Sequence, residues 1–93
     1  SGITAGKGGD RLRLIGKSRQ VICITHLPQI AATADHHFLI RKKAEGTSVR
    51  TDVEMLDEAA SVEELARLLG GANVTERVME SAKELKELAK CER

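Results

Sequence analysis

The segment Gln20-Val21-Ile22-Cys23-Ile24-Thr25 leaves this chain the fewest options. It is an apolar run of strand length, rich in β-branched residues and without polar alternation. Such a run reads as a strand covered on both faces, as in parallel α/β sheets. It stops at His26-Leu27-Pro28, where the proline suits the first position of a short helix over residues 29–34. The expected order is buried strand, tight loop, helix start. A histidine then sits at the strand's C-terminal end, where open α/β sheets keep their ligand chemistry.

The flanking segments have plainer signals. Residues 1–10 contain Gly2, Gly6, Gly8 and Gly9 with little apolar pattern, and read as a loop. Residues 10–18 allow a short helix with Leu12 and Ile15 on one side, ending at Gly16. Residues 36–44 and 47–56 alternate around Glu45-Gly46 and predict an antiparallel hairpin with one solvated face. The turn glycine fits a position of positive φ. Ser61-Val62-Glu63-Glu64 has the capping-box pattern, which predicts a helix to Leu69, stopped by Gly70-Gly71. Its apolar face is Val62, Leu65, Ala66, Leu68 and Leu69. A second helix is expected from Asn73 or Thr75 to about Lys90, with Val74, Val78, Ala82, Leu85 and Ala89 as its stripe. The fold class is therefore α/β, in three stretches: 1–19, 20–58 and 59–93.

Ninety-three residues allow one small domain or part of a larger one. Phe38 is the sole aromatic residue, so the core must come from Leu, Ile, Val, Ala and Met. So lean a core fits a fragment that packs against more protein. Fifteen basic and fourteen acidic residues give a net charge of +1, which does not point to nucleic acid. Cys23 and Cys91 form no C-x-x-C and no disulfide framework, and read as reduced thiols. No signal peptide and no membrane-length apolar stretch is present, so the expected location is cytoplasmic, with no membrane partner.

Three chemistries can be tested on the residues. A phosphate loop needs G-x-x-x-x-G-K-[ST] after a strand, so that backbone amides wrap phosphate and a hydroxyl holds magnesium. Gly2 to Gly6 is one residue too short, and Gly8 follows Lys7. Gly16-Lys17-Ser18 ends correctly, but Arg11 occupies the place of the first glycine. Cys23, His26, His36 and His37 lack the paired spacing of a structural zinc site, so no metal is assigned. His26 remains: an imidazole can donate to, or accept from, a phosphate oxygen or a water. On the residues alone, a single histidine at such a junction is more often structural.

The stretch from Gln20 to Phe38, QVICITHLPQIAATADHHF, resembles the switch-histidine region of the RecN family, SMC-like ABC ATPases of bacterial double-strand-break repair. The run Thr25-His26-Leu27-Pro28-Gln29-Ile30-Ala31 carries most of that specificity. Glu64 to Gly71, ELARLLGG, and the Thr-Glu-initiated helix after it are similar to the family's C-terminus. Ser1-Gly2-Ile3-Thr4-Ala5 is similar to the segment at and after the D-loop, so Ser1, Gly2 and Thr4 are candidate D-loop-like residues. The resemblance implies a fragment of an ABC-type ATPase head: a buried strand plus an antiparallel hairpin with a C-terminal helical pair. It also implies a helix over residues 5–15, for which Gly6, Gly8 and Gly9 are poor choices.

By the same resemblance, His26 is the nucleotide-binding and catalytic residue, contacting the γ-phosphate and helping to position water. ATP and Mg2+ would belong to the complete protein, since the phosphate loop, the Walker B acids and the signature motif are absent here. This fragment alone would bind neither and would be inactive. The implied partners are the remainder of the head, a second head in a dimer, and DNA through the complete protein. Two rivals differ in class. One is a small non-catalytic α/β interaction module docking through its helical pair. The other binds DNA directly through Arg11, Arg13, Arg19, Arg41, Lys42 and Lys43, which steep salt dependence would reveal.

Overall fold

The computed structural model describes residues 2–91. The elements in order are α1 (Gly2–Gly16), α2 (Pro28–Ala31), β1 (His37–Glu45), β2 (Ser48–Leu56), α3 (Glu58–Gly70) and α4 (Glu76–Cys91). The result is a small α/β arrangement: two helices, an antiparallel hairpin and a C-terminal helical pair.

The core lies where α3 and α4 pack. Leu65, Ala66 and Ala82 are wholly buried, Val62 and Ala89 nearly so, and Leu68, Val78, Met79 and Leu85 close over them. The stripes read from the sequence therefore face each other as expected, except at their ends. Leu69 and Val74 are 40% and 45% exposed. Each helix has its stop and start chemistry. Gly71 holds φ at 62°, and its N–H donates to the Arg67 carbonyl at 2.8 Å. Thr75 Oγ1 accepts from the Val78 N–H at 3.3 Å at the head of α4. Glu58 then ties the pair together, its carboxylate accepting from Lys86 Nζ at 2.8 Å and Lys90 Nζ at 3.2 Å.

The capping box expected at Ser61 is not the cap. Asp57 takes that position, its Oδ1 accepting from the Ala60 N–H at 2.8 Å, and the helix starts one turn early at Glu58. Ser61 is thereby drawn inside the helix and buried, and Glu64 pairs with Arg67 instead of reaching back. Asp57 wins because a carboxylate at the first turn also meets the positive end of the helix dipole.

The hairpin forms in the expected register, with His37 opposite Leu56 and Glu45 opposite Ser48 across Gly46, whose φ is 61°. Its solvated side is the more apolar one. Phe38, Ile40, Val49, Val53 and Met55 share one face and are all exposed. The other face, through Leu39, Arg41, Glu54 and Leu56, forms a shallow groove with Ala60, Glu63, Glu64 and Arg67 of α3.

Two further expectations are overturned. Residues 20–25 form no strand, and Ile22 and Ile24 are 84% and 86% exposed. A strand exists only by pairing its backbone with neighbours. Among the described residues the hairpin is the only sheet, and it is two-stranded. Residues 2–10 are helical and not a loop, continuous with the segment that ends at Gly16. Tertiary packing overrides the glycines' low helix propensity there: Gly9 is buried against Thr33, and α1 lies across α2.

The molecule is open for its size. A chain of 10.1 kDa exposes 7114 Å², against about 5,300 Å² expected for a compact monomer of that mass. Its radius of gyration is 14.3 Å, where about 12 Å is usual for this length. Among the large apolar side chains left exposed are Val21, Ile22 and Ile24 and those of the outer hairpin face.

Candidate functional site

His26 projects from a turn that its neighbours fix on both sides. Before it, Thr25 Oγ1 accepts from the Leu27 N–H at 3.0 Å, folding the chain around the histidine. After it, Leu27 is the N-cap of α2 in extended conformation, with Pro28 at the first helical position. The Leu27 carbonyl accepts from Ile30 N–H at 3.1 Å and Ala31 N–H at 3.0 Å. Pro28, Ala31 and Ala32 are buried, which anchors the short helix although it has a single turn. Thr33 closes it, donating from Oγ1 to the Ile30 carbonyl at 2.7 Å. The imidazole of His26 itself is exposed. A solvent-facing imidazole on an anchored turn can meet an oxyanion or a water delivered by another surface.

The remaining candidates do not converge on it. Cys23 is exposed, its thiol directed at the Ile24 carbonyl 3.9 Å away. Among the described residues, no three His, Cys, Asp or Glu side chains are grouped to hold a metal ion. His36 is exposed. His37 is half-buried and turns to α3, its Nδ1 lying 3.2 Å from Ser61 Oγ. Burial pushes the His37 pKa below its usual 6.5; Glu64 opposes that shift and Lys86 adds to it. Of the D-loop-like residues, Ser1 lies outside the described residues, and Gly2 and Thr4 fall in the first turn of α1.

The basic residues divide between elements. Arg11 and Arg13 are on α1 and Arg19 follows it, whereas Arg41, Lys42 and Lys43 lie along β1. Arg41 stands opposite Asp52 and shares its groove with Glu54, Glu63 and Glu64, so acidic groups interrupt the positive surface. No helix in the described residues is long and apolar enough to cross a membrane.

The chain is similar to curated proteins over nearly its whole length. It is 44% identical over 85 residues to the DNA repair protein RecN of Vibrio cholerae, covering 91% of this chain and 15% of that protein. It is 46% identical over 89 residues to RecN of Halalkalibacterium halodurans, covering 96% of this chain and 16% of the relative. The chain is homologous to one segment of RecN. The RecN of Haemophilus influenzae agrees, at 40% identity over 88 residues, 95% of this chain and 16% of the relative. No family model matches the chain. This chain thus spans about one-sixth of the RecN proteins it matches.

Sequence reasoning missed two parts of this arrangement. Gly9 has low helix propensity, yet it is where α1 meets Thr33. Ser61 fits a capping pattern, yet it is the partner of His37. No local signal separates Gly9 from its neighbour Gly8, because the reason lies 24 residues further along the chain.

Proposed function

We propose that this chain is the part of a RecN-type ATPase head that carries the switch histidine, His26, one component of a composite ATP site. The reading is carried by the solvent-facing imidazole on a turn held by Thr25 and Pro28, within the stretch homologous to RecN. In the complete protein, His26 would donate to a terminal phosphate oxygen or hold the attacking water in line. Phosphoryl transfer relies on positioning and charge stabilisation, so one such donor matters. The residues of this chain fit that single contact and not a phosphate cradle. ATP and Mg2+ would be held by the rest of the head, and DNA engaged by the complete protein.

The excess surface supports incompleteness. An extra ~1,800 Å² on one chain is about twice the ~800 Å² that each partner buries in a standard specific contact. The outer hairpin face and residues 21–24 are what the rest of a head would cover. The same exposed face also favours a second reading, a non-catalytic interaction module, in which partner capture is indifferent to nucleotide and to His26.

The test uses a full-length RecN protein bearing this segment. His26→Ala is expected to lower turnover at saturating ATP by about 100-fold or more while nucleotide is still bound. The 93-residue chain alone is expected to show no turnover. Magnesium-dependent hydrolysis by the isolated chain, lost in His26→Ala, would overturn the composite-site reading. Unchanged turnover in the full-length variant would remove His26 from the reaction.

A further inference from the structure

We infer that Gly9 is a positioning residue for the His26 turn: its lack of a side chain lets α1 seat against Thr33 and the Gln29 carbonyl, and through α2 it sets the histidine. The functional half of this inference rests on the switch reading above; the geometric half does not.

Gly8 and Gly9 are adjacent helical glycines, each less favourable in a helix than alanine. Their surroundings differ. A Cβ at Gly8 would meet nothing within 4 Å. A Cβ at Gly9 would lie 2.9 Å from Thr33 Cγ2, well inside contact distance, and 3.5 Å from both the Gln29 carbonyl oxygen and Thr33 Oγ1. The clash is thus with one methyl group. That methyl cannot swing away cheaply, because Thr33 is β-branched and its hydroxyl is committed to the Ile30 carbonyl at 2.7 Å. An alanine at position 9 must therefore displace Thr33, which follows α2 by two residues and is tied back to it through the Ile30 carbonyl, and the displacement is passed to α2.

Displacement of α2 reaches His26 directly. Leu27 supplies the carbonyl that caps α2 and the N–H that Thr25 holds, so the turn moves with the helix. α2 also contacts α3, so its displacement is felt at both neighbours. A displacement of a few tenths of an ångström to about one ångström is within the range that costs a positioned group much of its effect.

Three variants isolate the contact. Gly9→Ala introduces the clash. Gly9→Ala/Thr33→Ser removes the offending methyl but keeps the hydroxyl bonded to Ile30. Gly8→Ala adds the same atom into open space. In the 93-residue chain, amide and His26 ring resonances of residues 25–34 are expected to shift in Gly9→Ala and to return towards wild-type positions in the double variant. In full-length RecN protein, Gly9→Ala is expected to lower kcat at least about tenfold with KM for ATP little changed. The double variant and Gly8→Ala are expected to stay within about twofold of wild type. Unshifted resonances in Gly9→Ala, or shifts that Thr33→Ser does not reverse, overturn the geometric coupling. Reversible shifts with full turnover in Gly9→Ala overturn the functional half. That last result differs from failure of the switch reading, which His26→Ala alone reports.

Discussion

Leu65→Ala offers the sharpest test of where this fold's stability resides. Leu65 is the largest fully buried side chain among the described residues; most of its buried companions are alanines. The substitution removes three carbons, worth about 0.8 kcal/mol each when buried. A cavity term adds to that, and measured Leu→Ala losses in cores span about 2–5 kcal/mol. Leu68, Val78, Met79 and Leu85 around the site are only partly buried and can relax inward, so the lower half of that span applies, about 3 kcal/mol. A chain of 93 residues holds about 5–14 kcal/mol in total, and one with so small a core belongs near the bottom of that range. One side chain thus accounts for about half the stability. With a urea slope of about 1.2 kcal/mol/M, the midpoint followed by helical circular dichroism should fall by about 2.5 M. Leu69→Ala is the matched control: same helix, same chemistry, but 40% exposed, with an expected loss below about 1 kcal/mol. A loss at Leu65 below about 1 kcal/mol, or equal losses at the two positions, would refute the assignment of the core to the α3–α4 seam.

Two further outcomes follow from the caps and the half-buried histidine. Asp57→Ala should cost about 1 kcal/mol, and Asp57→Asn only a small part of that, in the same urea titration; equal losses would mean that the side-chain cap contributes nothing. His37 has its pKa depressed in the fold, so the unfolded chain takes up a proton first. Its contribution is full above about pH 6.5 and is lost as pH falls from there through the folded-state value. The stability difference between wild type and His37→Gln, which retains a hydrogen-bonding group for Ser61, should therefore shrink between pH 8 and pH 5.5; a constant difference would contradict this.

The parts of the fold that could be read from the sequence are those whose causes are local. The α3–α4 stripe follows from apolar spacing, the hairpin from alternation around Gly46, and the start of α2 from Pro28. Gly71 stops α3 through its own backbone conformation, which needs no tertiary context. Expectations failed where the cause is distant. The run of residues 20–25 has the composition of a buried strand but no sheet here to enter. The α1 glycines argue against a helix until Thr33 is brought beneath Gly9. Ser61 and Asp57 both precede the apolar face by plausible capping distances, and only the structure decides between them. His26 was legible as a histidine on a turn before a helix, and its turn is as expected. The strand meant to present it is not formed.

The uncovered run at residues 20–25 also bears on the fate of the chain in solution. Those six residues have no charge, no proline and no glycine, a composition prone to cross-β stacking when left exposed. The hairpin has a defence that the run lacks: Arg41, Lys42 and Lys43 place successive cations along β1, which discourages a second chain from pairing there. Residues 20–25 have no such gatekeepers within them. Keeping residues 20–25 out of cross-β stacking therefore falls to whatever surface covers them.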